Sequence, residues 1–160
     1  MTASSGSDRQ DLVSYLERAR NELRGSIQGL SDEQLTHSGA VGEWSVKDAL
    51  THIVSWEETV LPDLTRLARG DTPVLQAIDL YAASYDAVNA AIMSVRRKLP
   101  LDQVLRELDI SRGDFMAAVA RLPDAVLVEG QFGRVLVQIT AEHDEEHAQH
   151  VVEWRTREGY

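Results

Sequence analysis

The stretch Ala141-Glu142-His143-Asp144-Glu145-Glu146-His147-Ala148-Gln149-His150-Val151-Val152-Glu153-Trp154 carries three of the five histidines in the chain. His143 and His147 are four residues apart, so on a helix they stand one turn above the other. Both lie on the apolar stripe Leu136, Ile139, His143, His147, Val151, Trp154. Buried imidazoles need partners. Two of them aimed inward from one helix form either a hydrogen-bonded pair or half of a metal site. A second segment, Trp44-Ser45-Val46-Lys47-Asp48-Ala49-Leu50-Thr51-His52-Ile53, offers the third ligand. His52 sits beside Ala49 and Trp56, off the centre of its own stripe, and so borders the core.

Working outward, the periods of three and four that mark helices recur along the whole chain. Leu12, Leu16, Ala19, Leu23, Ile27 and Leu30 stripe a first helix from residue 8 to about 29. Ser31-Asp32-Glu33-Gln34 is a capping box that opens a short turn. Ser45, with Asp48 three residues on, caps a long helix through Val46, Leu50, Ile53, Glu57, Val60, Leu64 and Leu67, with Pro62 inside it. Thr72 and Pro73 read as the cap and first residue of the next helix. Its apolar residues, from Val74 through Ile78, Tyr81, Tyr85, Val88, Ile92 and Val95 to Leu99, form a narrow seam. Such a seam suits a peripheral helix with one neighbour or a dimer face, with a break near Ala83 or Ser84. Asp102 reads as the cap of a further helix striped by Leu105, Leu108, Phe115 and Leu122. Arg112 falls on that stripe where an apolar residue is expected. The last helix runs from about Arg134 to Arg157. No run alternates with period two long enough to make a strand. The expected architecture is an all-α, up-down-up-down four-helix bundle with an additional peripheral helix. Residues 1–7 form a disordered tail, and 8–160 make a single domain.

Composition narrows the function. With 16 basic and 26 acidic residues the formal charge is −10, and the pI is near 4.9. That sign repels phosphate backbones and anionic lipid, so neither nucleic acid nor membrane is an expected partner. There is no cysteine, so disulfides, zinc-thiolate sites and an internal thiol nucleophile are excluded. Any thiol chemistry would need a thiol brought in by a cosubstrate. The polar N-terminus has no signal-peptide core, and no window reaches the length of a membrane span. A cytoplasmic location is therefore expected.

Two histidines from the last helix and one from the second long helix make a three-nitrogen site with open positions for water or substrate. Zinc, nickel, iron and copper all accept such ligands, with zinc or nickel foremost. The bound metal would acidify a thiol or water, or polarise a carbonyl. His150 is a candidate fourth ligand, supporting residue or proton shuttle, weighed against a plain structural histidine. His150 and Glu146 are the candidates for relaying a proton. The carboxylates of Glu142, Asp144, Glu145 and Glu146 are expected to face mostly solvent and to raise the histidine pKa values. Arg112 is expected to pair with Asp109 or Glu145. His37, in a loop with two glycines, is a surface residue. Trp44, Trp56 and Trp154 are read as core or rim packing.

The segment Gly42-Glu43-Trp44-Ser45-Val46-Lys47-Asp48-Ala49-Leu50-Thr51-His52-Ile53-Val54-Ser55-Trp56-Glu57 resembles the signature around the first histidine of the DinB-like (DinB/YfiT) superfamily. His143-Asp144-Glu145-Glu146-His147 is similar to its last-helix motif. The region Leu101 to Leu127, with Ser111-Arg112 and Leu122-Pro123-Asp124, resembles the ClbS/DfsB branch. The resemblance implies a four-helix bundle whose metal triad falls on His52, His143 and His147. It also implies a homodimer, and metal-dependent chemistry on a small electrophile or toxin, by transfer of a low-molecular-weight thiol or by hydrolysis. The rival expectation is a non-catalytic small-ligand-binding or stress-response bundle. In that case apolar side chains would fill the pocket, and the histidines would bond to carboxylates.

Overall fold

The computed structural model describes residues 5–80 and 84–160. Four long helices make the bundle: α1 (Ser5–Ile27), α3 (Val46–Ala68), α5 (Leu101–Ala120) and α6 (Phe132–Glu158). A short helix α2 (Asp32–Thr36) precedes α3, and α4 (Asp86–Arg96) lies between α3 and α5. The described residues contain no strand, so the expected all-α bundle with a peripheral helix is what forms. α1 begins inside the segment assigned to a tail, and residues 1–4 lie outside the described residues.

Helix directions follow from the polar ties between ends. Near the start of α1, Asp8 accepts from Arg134 of α6, and near its end the carbonyls of Ser26 and Gln28 accept from Arg155. α1 and α6 are therefore parallel. Lys47 at the start of α3 donates to the carbonyls of Arg97 and Leu99, just before α5, at 2.8 and 3.0 Å. Further along the pair, Glu57 of α3 meets Ser111 and Arg112 of α5. α3 and α5 thus run together and opposite to α1 and α6. The all-α bundle stands, but its directions are up, down, down, up, and the expected strict alternation does not hold. The long segment 69–100, carrying α4, returns the chain to the same end before α5 starts.

Local chemistry sets most helix ends. The Ser31 and Ser45 capping boxes both form, with Gln34 and Asp48 returning a side-chain oxygen to the cap amide. Two expected caps do not form. Asp102 lies in the first turn of α5 and pairs with Arg106, while Pro100 holds the cap position. Thr72 starts no α-helix. The chain instead makes a single 3₁₀ turn, Leu75–Ala77, whose leading amides at Val74 and Leu75 donate to the buried Asp63 carboxylate of α3 at 2.9 and 2.7 Å. A charge from a neighbouring helix has replaced the local cap. The seam from Val74 to Leu99 is correspondingly not one helix, and its Tyr81 and Ala83 lie outside the described residues. Gly133, in the first turn of α6, is required by contact: a Cβ there would come within 2.6 Å of the Val126 carbonyl oxygen.

The core has two apolar layers. One gathers Leu16, Val60, Leu64, Phe115 and Leu136, and the other gathers Leu23, Leu50, Ile53, Leu108 and Trp154. Between them lies a buried ionic network drawn from all four long helices. Arg20 Nε donates to Asp144 Oδ2 at 2.8 Å, and its Nη2 to Glu57 Oε1 at 2.9 Å. Arg112 Nε donates to Glu57 Oε1 at 2.7 Å, and its Nη2 to Asp144 Oδ2 at 2.8 Å. The remaining guanidinium nitrogens donate to the carbonyls of Leu108 and Leu16, and Ser111 donates to Glu57. Two cations meet two anions with geometry that satisfies both forks. Arg112 is thus a structural ion-pair residue, as expected, but with different partners. Asp109 pairs with Arg24, and Glu145 accepts from Tyr15.

Candidate metal centre

The network fixes α3 and α6 at the level where their histidines meet. Antiparallel α3 and α6 bring His52 opposite His143, and Trp56 Nε1 on the next turn of α3 donates to Thr140 Oγ1 of α6 at 3.0 Å. The result is a triangle of imidazoles. His52 Nε2 lies 2.9 Å from His143 Nε2, which lies 3.1 Å from His147 Nε2. One ligand atom from each of the three residues falls within 4.8 Å of the others. The three residues the sequence singled out are the ones the fold brings together, and they form a group that can hold a metal ion.

Burial sets the protonation state. His52 is pushed down to about 4 by desolvation. His147 is pushed down to about 3, by desolvation first and then by the neighbouring His52 and His150. His143 is held well below the usual histidine value, chiefly by desolvation, with His147, His52 and Arg20 adding to it. The expectation that nearby carboxylates raise these values is therefore wrong. Asp144 is 0% exposed and committed to two arginines; it does not face solvent. Glu142 and Glu146 are exposed, as expected. At neutral pH the three rings are neutral, the form that binds metal.

Neutral rings in this arrangement are poorly satisfied by one another. Each contact needs one N–H and one lone pair. If His143 donates from Nε2, His147 carries its proton on Nδ1; if His143 accepts, it carries its own there. Nδ1 of both residues is buried with no hydrogen-bond partner, so either choice strands an N–H at a cost of about 1–3 kcal/mol. A divalent transition metal at the convergence point would engage all three Nε2 lone pairs, each ring keeping its proton on Nδ1, and the donor set fits it. The rings are held by packing, not by acceptors behind them. Trp44 lies against His52 with ring centroids 5.2 Å apart, and Trp56 lies 6.1 Å from His143.

Beside the triad opens a cavity of about 450 Å³, within the range of small-molecule sites. His52 and His143 form part of its floor. Trp56, Tyr85, Ile92 and Ile139 line its walls, and Glu142 and Glu146 belong to its lining too. α4 and the Leu75–Ala77 turn contribute the far side. The rival expectation of a filled pocket and carboxylate-bonded histidines is not what forms. His150 is half-buried against His147, ring centroids 5.7 Å apart, with Nδ1 lacking a partner; it does not line the cavity. His37 is exposed and Trp154 is core, both as expected. The ionic role of Arg20 is not foreseen from the sequence, and Trp56, expected as core or rim packing, lines the cavity together with Tyr85 and Glu142. A cue existed for the first, because Glu57 sits on the α3 stripe and demands a buried cation.

Residues 15–151 match the DinB superfamily, and the chain belongs to that superfamily. Among curated proteins it is similar to the uncharacterized protein YuaE of Bacillus subtilis (strain 168). The two are 29% identical over 136 residues, covering 78% of this chain and 76% of that protein. Among solved structures it shares its fold with DfsB, described as a sibling lethal factor precursor, at a TM-score of 0.76 and 12% identity over 94% of this chain and 96% of that one. An uncharacterised protein from Escherichia coli UTI89 superposes at a TM-score of 0.71 and 14% identity, over 94% of each chain. No described helix is long and apolar enough to cross a membrane.

Proposed function

We propose that this chain is a metal-dependent enzyme that acts on a small electrophile, with His52, His143 and His147 as the metal ligands. The observation that carries this reading is the convergence of three neutral Nε2 atoms beside an open cavity of about 450 Å³, two of whose lining residues are His52 and His143. Zinc or nickel would supply Lewis acidity, lowering the pKa of a bound thiol or water. The chain's own residues do the rest. The apolar walls bind the substrate body and exclude water from one side of the triad. Trp44 and Trp56 hold the rings of His52 and His143 in place. Glu146 reaches the cavity and is positioned to accept a proton from a nucleophile there. His150 contacts His147 outside the cavity, which suits a relay toward solvent. The chain contributes no thiol, so a transferase reaction would draw one from a low-molecular-weight cosubstrate. A homodimer in the cytoplasm completes the proposal, in keeping with exposed Val88 and Val95 on α4.

The test is metal content by mass spectrometry on protein purified without a nickel resin, followed by turnover of model electrophiles with and without added thiol. About one zinc or nickel per chain and metal-dependent turnover are the expected results. Absence of any tightly held metal, together with unchanged turnover in a chelator, would overturn the proposal.

A further inference from the structure

Glu142 and Glu146 stand one helical turn apart on α6, and both belong to the lining of the cavity. Like charges at this spacing repel on a helix surface. Neither carboxylate has a hydrogen bond or ion pair among the described residues, whereas Glu145 between them accepts from Tyr15 at 2.8 Å. Among the described residues no lysine or arginine belongs to the lining. Arg96 of α4 is already engaged, its Nη1 donating to Ser55 Oγ at 3.1 Å and its Nη2 pairing with Glu58 at 2.5 Å. The same lining carries two aromatic rings. The rings of Trp56 and Tyr85 meet at 73° with centroids 6.4 Å apart, and both residues line the cavity. Unpaired carboxylates and aromatic rings on one largely apolar cavity are the chemistry that recognises an ammonium group carried by a hydrophobic body.

We infer that the substrate of this site is a cationic amphiphile, its apolar body against Trp56, Ile92 and Ile139 and its ammonium end beside Glu142 and Glu146. The inference rests on the cavity being the substrate site, as proposed above, and adds the charge that the substrate carries. It disfavours an anionic molecule as the occupant of the cavity itself. A carboxylate there would meet two unpaired like charges and no counter-cation. A thiol cosubstrate bearing carboxylates would have to approach the triad from outside this pocket.

The experiment uses metal-free full-length protein and three probes sharing one aromatic body: naphthylmethylammonium, naphthylmethanol and naphthoate. Binding is followed by calorimetry and by quenching of tryptophan fluorescence. The ammonium probe should bind about tenfold more tightly than the neutral alcohol at low salt, and naphthoate more weakly than either. Because both glutamates are exposed, the preference should shrink as salt is raised. The double variant Glu142→Gln, Glu146→Gln should bind the alcohol as the wild type does, which shows an intact pocket, and should lose the preference for ammonium. Equal or tighter binding of naphthoate by the wild type would overturn the inference. So would an ammonium preference that survives in the double variant, since the overall charge of −10 would then be its source. Metal content is measured separately, so the metal reading can stand or fall independently of this result.

Discussion

Two buried polar clusters lie next to each other in this bundle, and they are built on opposite terms. In the ionic network Arg20, Glu57, Arg112 and Asp144 bring two positive and two negative charges, and every guanidinium nitrogen has an acceptor between 2.7 and 3.2 Å. In the histidine cluster three neutral rings turn the same atom toward one another, and the Nδ1 atoms of His143 and His147 are stranded. The first cluster is complete with protein atoms alone, so its work is to fix four helices in register. In the second, His143 Nε2 faces two other Nε2 atoms and can share only one proton or one lone pair with them, so protein atoms alone do not complete it, whereas a metal among the three would take all three lone pairs. Adjacency matters because Asp144 immediately follows His143. The network therefore positions the backbone that presents the ligand.

The contrast predicts opposite mutant behaviour. The largest effect on folding should come from breaking the network. Glu57→Ala leaves two buried arginines short of an acceptor and should cost about 3–5 kcal/mol in urea denaturation. A cost under about 1 kcal/mol would show that the charges are not held as described. The ligand cluster should respond differently. His143→Ala should lower metal affinity by at least about a hundredfold, with little loss of stability in the metal-free protein, since an unsatisfied buried group disappears with the ring. Calorimetric titration and denaturation of the same variant check both halves of that statement.

Acid should separate the clusters further. The folded state holds His52 near 4 and His147 near 3, whereas the unfolded chain titrates them near 6.5. Between these values the unfolded state binds more protons, so stability falls as pH is lowered from about 6.5 toward 4. The slope should reach about 1.4 kcal/mol per pH unit for each histidine involved, and it should be shallower in His147→Gln. A pH-independent free energy over that window would contradict the buried neutral state. The smallest expected effect is that of Trp56→Phe. It removes the bond to Thr140 and should cost about 1 kcal/mol while leaving a metal site formed, and thermal denaturation with and without zinc measures it.

The helix periods located α1, α3, α5 and α6 to within a few positions, because each buries a continuous apolar face. The spacing of His143 and His147 and the position of His52 identified the triad, because helix geometry alone aligns them. What failed was set by contacts between distant segments. The direction of α5 depends on where the 69–100 connection returns the chain. The start of the 3₁₀ turn depends on Asp63, eleven residues before Val74 on another helix. Asp144 reads as one more solvent carboxylate among four, and only the approach of Arg20 and Arg112 from α1 and α5 makes it the most buried of them. The histidine pKa values followed desolvation, which local charge counting cannot weigh.

The central claim is that His52, His143 and His147 bind one metal ion together. Cobalt(II) titrated into metal-free protein tests it directly, because its visible absorption reports nitrogen ligation and low coordination number. The expected spectrum saturates at about one equivalent in the wild type and is lost in each of His52→Ala, His143→Ala and His147→Ala, but kept in His150→Ala. A wild-type spectrum like that of cobalt in buffer, or one that persists in all three triad variants, would contradict it.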